Sequence, residues 1–264
     1  MPIPTSLEVR KKVFKQAHSL DAELIELARR DSQHDFLTNP SALLIYTYLV
    51  EYIRVFSNEW FNGRPLRILD WGAGKGHITY LLKKQYQGRA DVVSCDVAPE
   101  ELARHDSSFR QATPIIDHTN IEVVPLHHSF QLPFANESFD VVISMGVLEH
   151  VPHDQQSLHE IQRILRPQGL FFCFFLPYRW SWTQQLAHWR GDYYHDRLYD
   201  QPQVQQMLTV ANFKLIDSWH RQLLPKNTVR YPTYQTIEQA DQWLCDYTPL
   251  KHLATNIEFV AHKL

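Results

Sequence analysis

Between residues 66 and 177 the sequence passes repeatedly from a short apolar run to a stretch with helical periodicity. The apolar runs are 66–70, 90–97, 121–126, 139–146 and 170–177. They are apolar throughout rather than at every second residue, which is typical of parallel strands that are covered on both faces. Strands that alternate with helices in this way predict an α/β fold, in which helices flank both faces of a mostly parallel sheet.

The segments between and after these runs add further elements. Apolar residues share one face of a predicted helix before the last run, namely Leu158, Ile161, Ile164 and Leu165. We expect Pro167 and Gly169 to end this helix, because proline and glycine interrupt helical structure. Two later runs, 213–219 and 256–263, predict additional strands.

The chain also has a predicted helical extension at its N-terminus. Apolar residues recur with helical spacing over 6–30, and a second helix is expected from Pro40 to about Trp60. Asn62 and Gly63 are suited to end that second helix. We therefore divide the chain into an extension, residues 1–62, and a main domain, residues 63–264.

Charge and cysteine content exclude several classes of protein. The formal net charge is −3 and there is no basic block, which argues against a general nucleic-acid binder. The three cysteines include no CxxC pair, which favours a reducing compartment. No signal peptide is expected, and the apolar windows are too short to span a bilayer. These features predict a soluble, cytoplasmic protein, whereas nothing in the sequence indicates its oligomeric state.

A glycine-rich turn, DWGAGKG at residues 70–76, follows the first predicted strand. Three of the chain's eight glycines lie there at alternate positions, where a ligand or another backbone segment can approach closely. The spacing G-x-G-x-G differs from the G-x-G-x-x-G of dinucleotide sites. Asp70 would repel a pyrophosphate and would suit a cationic amino group. Asp96, at the end of the second strand, can accept hydrogen bonds from ribose hydroxyls.

Four successive motifs resemble those of class I S-adenosylmethionine-dependent methyltransferases, most closely the group that acts on small molecules. These motifs are LRILDWGAGKGHITYLL, VVSCDVAPE, LPFANESFDVVISMGVLEHVPH and EIQRILRPQGLFFCFFLP. The resemblance covers roughly residues 64–177. It implies a Rossmann-like sheet of seven strands, mostly parallel with an antiparallel last strand. It also implies that the chain uses S-adenosyl-L-methionine and releases S-adenosyl-L-homocysteine.

The resemblance also implies which residues contact this cofactor. Asp96 and Val97 match the ribose and adenine contacts, while His128 or Ser129 stands where many relatives carry an acid for the adenine amino group. Two further residues, Met145 and Gly146, match positions beside the cofactor and the reaction centre. The first motif contributes the residues beside the methionine moiety, namely Asp70, Gly72, Ala73, Gly74 and Gly76.

Two segments of the main domain are predicted to form an aromatic cap: about 178–200 and 220–255. The first is either the buried core of the cap or a lid over a small-molecule acceptor. In the second case its polar aromatic and basic side chains would contact the acceptor, and the candidates are Tyr193, Tyr194, His195 and Arg197. The second segment could equally rest on a membrane surface.

His150 and His195 are the candidate catalytic bases, needed if the acceptor is a hydroxyl that must lose its proton. Glu149, His150 and His153 raise the question of a metal site. Relatives that use a metal there carry an additional acid where this sequence has Gly146, so we predict no metal. Two other functions stay open: a nicotinamide-dependent oxidoreductase on a similar sheet, and a non-catalytic protein that binds S-adenosylmethionine.

Overall fold

The computed structural model describes residues 5–15, 22–23, 26, 40–97, 121–191, 195, 197–224 and 233–264. The chain divides into two compact units, Met1–His127 and His128–Leu264. Among the described residues, no helix has both the length and the apolar character needed to cross a bilayer.

The first unit contains two helices followed by strands and one further helix. Its elements are α1 (Ser6–Lys15), α2 (Pro40–Trp60), β1 (Leu66–Trp71), α3 (His77–Tyr86), β2 (Ala90–Val97) and β3 (Val123–Leu126). β2 pairs in parallel with both β1 and β3. α1 packs against α2, where the hydroxyls of Ser6 and Tyr52 lie 2.9 Å apart. The predicted helix over 6–30 is described as α1 only to Lys15, and most of the remainder lies outside the described residues.

The second unit begins with a parallel pair of strands and ends with an antiparallel pair. Its elements are β4 (Phe139–Met145), α4 (Asp154–Ile164), β5 (Leu165–Pro177), α5 (Trp182–Arg190), α6 (Gln201–Val210), β6 (Phe213–Arg221), α7 (Thr233–Tyr247), a 3₁₀ helix (Pro249–Leu253) and β7 (Asn256–Lys263). β5 pairs in parallel with β4 and antiparallel with β7, and β7 pairs antiparallel with β6.

The strands form a mixed sheet in the order β3-β2-β1-β4-β5-β7-β6. The last strand of the chain, β7, is the antiparallel one. All of its residues are buried, as expected for a strand that has neighbours on both sides and covered faces. The predicted sheet of seven strands, mostly parallel with an antiparallel last strand, is confirmed.

One predicted boundary is wrong. α4 ends at Ile164, and Leu165 already has the extended backbone of β5, with φ −71° and ψ 140°. Leu165 pairs with Phe139, and the register then shifts before Val141 pairs with Leu170. The physical reason is Pro167, which disfavours helical backbone at the residue before it. The intervening residues form an irregularity in the strand rather than the end of the helix.

The two predicted cap segments contact each other. The indole Nε1 of Trp182 donates a hydrogen bond to the carbonyl of Leu223, at 2.8 Å. Trp182 also packs against a small apolar cluster formed by Leu223, Cys245 and Ala254. Trp189, in contrast, is exposed at the end of α5. The cap therefore has a core of its own, and only some of its aromatic side chains contribute to it.

Candidate functional site

The glycine-rich turn has a backbone that favours glycine at each of its three glycine positions. Gly72, Gly74 and Gly76 have φ angles of 77°, 52° and 82°, in the left-handed region. The N–H groups of Gly72 and Ala73 donate to the carbonyl of Cys95 on β2, at 2.9 and 3.1 Å. Gly76 forms the N-cap of α3. The sequence thus uses scarce glycines where a side chain would strain the turn.

Asp96 ties this turn to the neighbouring strand. One carboxylate oxygen accepts the N–H of Gly74 at 2.6 Å, and the other accepts the N–H of Val97 at 2.7 Å. The residue is 8% exposed, and burial raises the pKa of its carboxyl while the two hydrogen bonds oppose the rise. A carboxylate oxygen can accept a second hydrogen bond, so both oxygens retain capacity for a ligand hydroxyl.

Asp70 lies deeper, at the end of β1, and is 1% exposed. Its carboxylate accepts a hydrogen bond of 2.6 Å from the hydroxyl of Thr79, in the first turn of α3. Burial raises the pKa of Asp70 to about 7; the bond from Thr79 lowers it, and the charge of Asp96 raises it further. Sequence reasoning identified both carboxylates but missed Thr79. No signal distinguished this threonine from the other polar residues of the helix.

In the second unit, the predicted cofactor contacts follow β3 and β4. The ring nitrogen Nδ1 of His128 accepts the backbone N–H of Gln131 at 3.1 Å, so His128 organises its own turn, and Ser129 is exposed beside it. Met145 ends β4, Gly146 follows it directly, and both are half-buried. Gly146 has a φ of 67°, and its N–H donates to the carbonyl of Phe174 at 3.0 Å.

The two histidines predicted as bases are brought together with a buried glutamate. The ring centroids of His150 and His195 lie 5.7 Å apart, and Nε2 of His150 is 3.8 Å from Oε1 of Glu149. A carboxylate oxygen of Glu149 and one ring nitrogen each of His150 and His195 lie within 4.8 Å of one another. They are close enough to share a proton or a cation. His153, considered earlier as the third member, instead contacts the ring of Phe130 at 5.8 Å.

Glu149 is 5% exposed, and burial raises its pKa to about 8. Within the described part of the chain, its Oε2 atom has no hydrogen-bond partner. Sequence reasoning discussed Glu149 only as a metal ligand and did not place it among the site residues. Its position directly before His150 was the available signal.

Arg197 explains how His195 reaches this cluster. Its guanidinium donates to the carbonyls of Val151 and Pro152, the second at 2.8 Å, and lies 3.7 Å from the carboxylate of Asp154. The hydroxyl of Tyr199 donates to the same carboxylate at 3.0 Å. These contacts, which we call the Arg197 clamp, hold the chain after α5 against the turn after β4. The predicted acceptor contact of Arg197 stays a prediction, and Tyr193 and Tyr194 lie outside the described residues.

Comparison with known proteins identifies the segment that contains the glycine-rich turn. Residues 69–173 match the family described as the methyltransferase domain. The match covers less than half of the chain. The matched segment includes the turn, Asp96, β4, Glu149 and His150, whereas His195 and Arg197 follow it.

The relatives support the same assignment over part of the chain. A malonyl-[acyl-carrier protein] O-methyltransferase of Halorhodospira halophila is 33% identical over 114 residues, which is 43% of this chain and 36% of the relative. A ubiquinone biosynthesis O-methyltransferase of Cereibacter sphaeroides is 33% identical over 108 residues, 41% of this chain and 40% of the relative. The similarity thus spans about two fifths of these relatives.

A solved structure supports the fold over a longer stretch. The putative sarcosine dimethylglycine methyltransferase of Galdieria sulphuraria aligns with a TM-score of 0.56 and 15% identity, covering 84% of this chain and 86% of that one. At this identity the likeness concerns the fold alone. It agrees with the class I methyltransferase fold implied by the sequence.

Proposed function

We propose that this chain transfers a methyl group from S-adenosylmethionine to an oxygen of a small-molecule acceptor in a biosynthetic pathway. The observation that carries the proposal is the glycine-rich turn of the methyltransferase domain, bonded to Asp96 through the N–H of Gly74. Both relatives described above are O-methyltransferases by name, which favours oxygen as the acceptor atom.

The first unit offers groups that suit the cofactor. Asp96 keeps lone pairs for ribose hydroxyls, and each hydrogen bond to such a charged group contributes about 1.5–3 kcal/mol. The turn leaves room for close approach because its three glycines carry no side chain. Asp70 is about half ionised at pH 7, because burial raises its pKa to about 7, and its carboxylate suits a cationic amino group and disfavours a pyrophosphate. When bound, S-adenosylmethionine supplies an electrophilic methyl group.

The second unit supplies the proton acceptor in this proposal. Methylation of a hydroxyl forms a carbon–oxygen bond and leaves the hydroxyl proton to be removed. His150 is exposed and can take this proton on a ring nitrogen. His195, held near it, is the second candidate base.

We also propose a cytoplasmic location and a small-molecule rather than nucleic-acid acceptor. The chain has a net charge of −3 and so lacks the basic character that nucleic-acid binding requires. The three cysteines are buried and free, which fits a reducing compartment.

The first experiment is calorimetric titration of S-adenosylhomocysteine into the wild-type chain. We expect one site, at least tenfold weakened in Asp96→Asn, because loss of the charge weakens both the turn and the ribose contacts. Asp91→Asn is the matched control, because Asp91 lies on the same strand and its side chain is 66% exposed. It should bind as the wild type does. NAD serves as the competing ligand.

Preference for NAD over S-adenosylhomocysteine would support the oxidoreductase alternative and refute the proposal. If S-adenosylhomocysteine binds, its release from S-adenosylmethionine is then measured with a panel of hydroxylated aromatic compounds. Binding without release for any acceptor, including amine and carbon acceptors, would favour a non-catalytic protein.

A further inference from the structure

Glu149 is a buried acid that has no role in the methyl transfer proposed above. Its side chain is almost completely shielded from solvent, and in the described residues nothing donates a hydrogen bond to Oε2. Burying a carboxylate without a partner costs free energy, and an isolated structural acid would gain nothing from this position. The cost is acceptable where a positive charge forms beside it.

The surroundings of Glu149 contain two groups that can carry such a charge. His150 follows it in the same turn, with Nε2 at 3.8 Å, and His195 is held nearby by the Arg197 clamp. Among the described residues, the buried thiol of Cys173 on β5 also interacts electrostatically with Glu149. Gly146 lies beside the carboxylate, since a Cβ added there would be in ordinary van der Waals contact with Oε1, at 3.7 Å.

A carboxylate and an imidazolium at this distance lower the cost of each other's charge. Their attraction is stronger away from bulk water, where the effective dielectric constant is lower. At 3.8 Å the contact between Glu149 and His150 is longer than a hydrogen bond, so the effect of the carboxylate on the ring is electrostatic. In this cluster the carboxylate is buried and the ring of His150 is exposed, so the imidazole can face an acceptor while its charge is stabilised from inside.

We propose, on the basis of the function proposed above, that Glu149 is the positioning residue of a proton-accepting cluster with His150 and His195. The acceptor oxygen would form its bond to the methyl carbon as the carbon–sulfur bond of S-adenosylmethionine breaks and S-adenosylhomocysteine leaves, and the hydroxyl proton would pass to a ring nitrogen of His150. Where Glu149 is ionised, which requires a pH near or above its raised pKa, its carboxylate stabilises the imidazolium that results, and the proton then leaves to solvent. His195 lies close enough to share it.

The test measures the charge of His150 without any substrate. The full chain is labelled at histidine Cε1, kept in EDTA, and titrated by NMR, with the His150 signal assigned from its loss in His150→Gln. We expect the titration midpoint of His150 to be lower in Glu149→Gln than in the wild type by roughly one pH unit. Glu149→Asp keeps the charge and should retain most of the wild-type midpoint. Glu137→Gln, an exposed glutamate of the same unit, is the matched control.

An unchanged midpoint in Glu149→Gln would overturn the proposal. It would also fall if one equivalent of zinc chloride, added without EDTA, shifted the signals of His150 and His195 together and abolished their titration, because the cluster would then serve a cation. The titration needs neither cofactor nor acceptor. A failure of the Glu149 proposal can therefore be distinguished from a failure of the methyltransferase proposal. Loss of S-adenosylhomocysteine binding with an intact midpoint shift would refute only the proposed function.

Discussion

Asp70 is expected to make the stability of the fold depend on pH in the direction opposite to that of most carboxylates. Its pKa is raised from 3.8 to about 7 in the folded state, mainly by burial. Between these values the folded chain holds a proton that the unfolded chain has lost. Stability from this group is therefore fully present at low pH and decreases as pH rises from about 4 to about 7.

The size of the effect follows from the two pKa values. Each pH unit between them is worth about 1.4 kcal/mol, so the penalty that accumulates between pH 5 and pH 8 is about 3 kcal/mol. Asp70→Asn removes the titration but keeps an oxygen that can accept the hydroxyl of Thr79. We therefore expect the free energy of unfolding of the variant, relative to that of the wild type, to be about 3 kcal/mol higher at pH 8 than at pH 5.

The measurement is urea unfolding followed by circular dichroism at pH 5 and pH 8, for the wild type and for Asp70→Asn. All other titrating groups are common to both chains and cancel in the difference. Asp91→Asn again provides the control, because it removes an exposed carboxylate from the same unit. Parallel curves for wild type and Asp70→Asn would show that burial does not raise this pKa and would refute the reasoning.

Three further predictions concern the turn, the base and the clamp. Gly74→Ala forces a side chain into left-handed backbone, which costs about 1–2 kcal/mol, and calorimetry should show about tenfold weaker binding of S-adenosylhomocysteine. His150→Gln should lower methyl transfer by about 100-fold or more, measured as S-adenosylhomocysteine release, while the affinity for S-adenosylhomocysteine stays unchanged. Arg197→Gln should speed hydrogen exchange of the Tyr199 amide, which donates to the carbonyl of Pro177, whereas equal rates would show that the clamp holds nothing in place.

The sheet could be predicted well where strands are covered on both faces. The predicted strands 90–97 and 256–263 coincide with β2 and β7. Both segments carry apolar residues at successive positions, which predicts a strand with two covered faces, and the polar residues of β7 are buried within the same range. Leu165 was placed wrongly because its spacing continues the apolar face of α4. The competing effect of Pro167 on the preceding backbone decided the boundary.

The glycine-rich turn was predictable because its signal is local, with three glycines and an acid in seven residues. The proximity of His150 and His195 was not, since they lie 45 positions apart (195 − 150). Their approach depends on hydrogen bonds from Arg197 and Tyr199 to the turn after β4. The bonds of Arg197 go to backbone carbonyls, which every residue carries and which leave no trace in the sequence.

The bond between Gly74 and Asp96 has a consequence for anyone who wishes to move this site into another protein. The turn is not a self-contained peptide, because the carboxylate that holds it belongs to a strand 22 residues later. A graft of residues 70–76 alone would lose that support and should sample other conformations. The smallest portable piece is the strand, turn, helix and second strand together, from β1 to the end of β2.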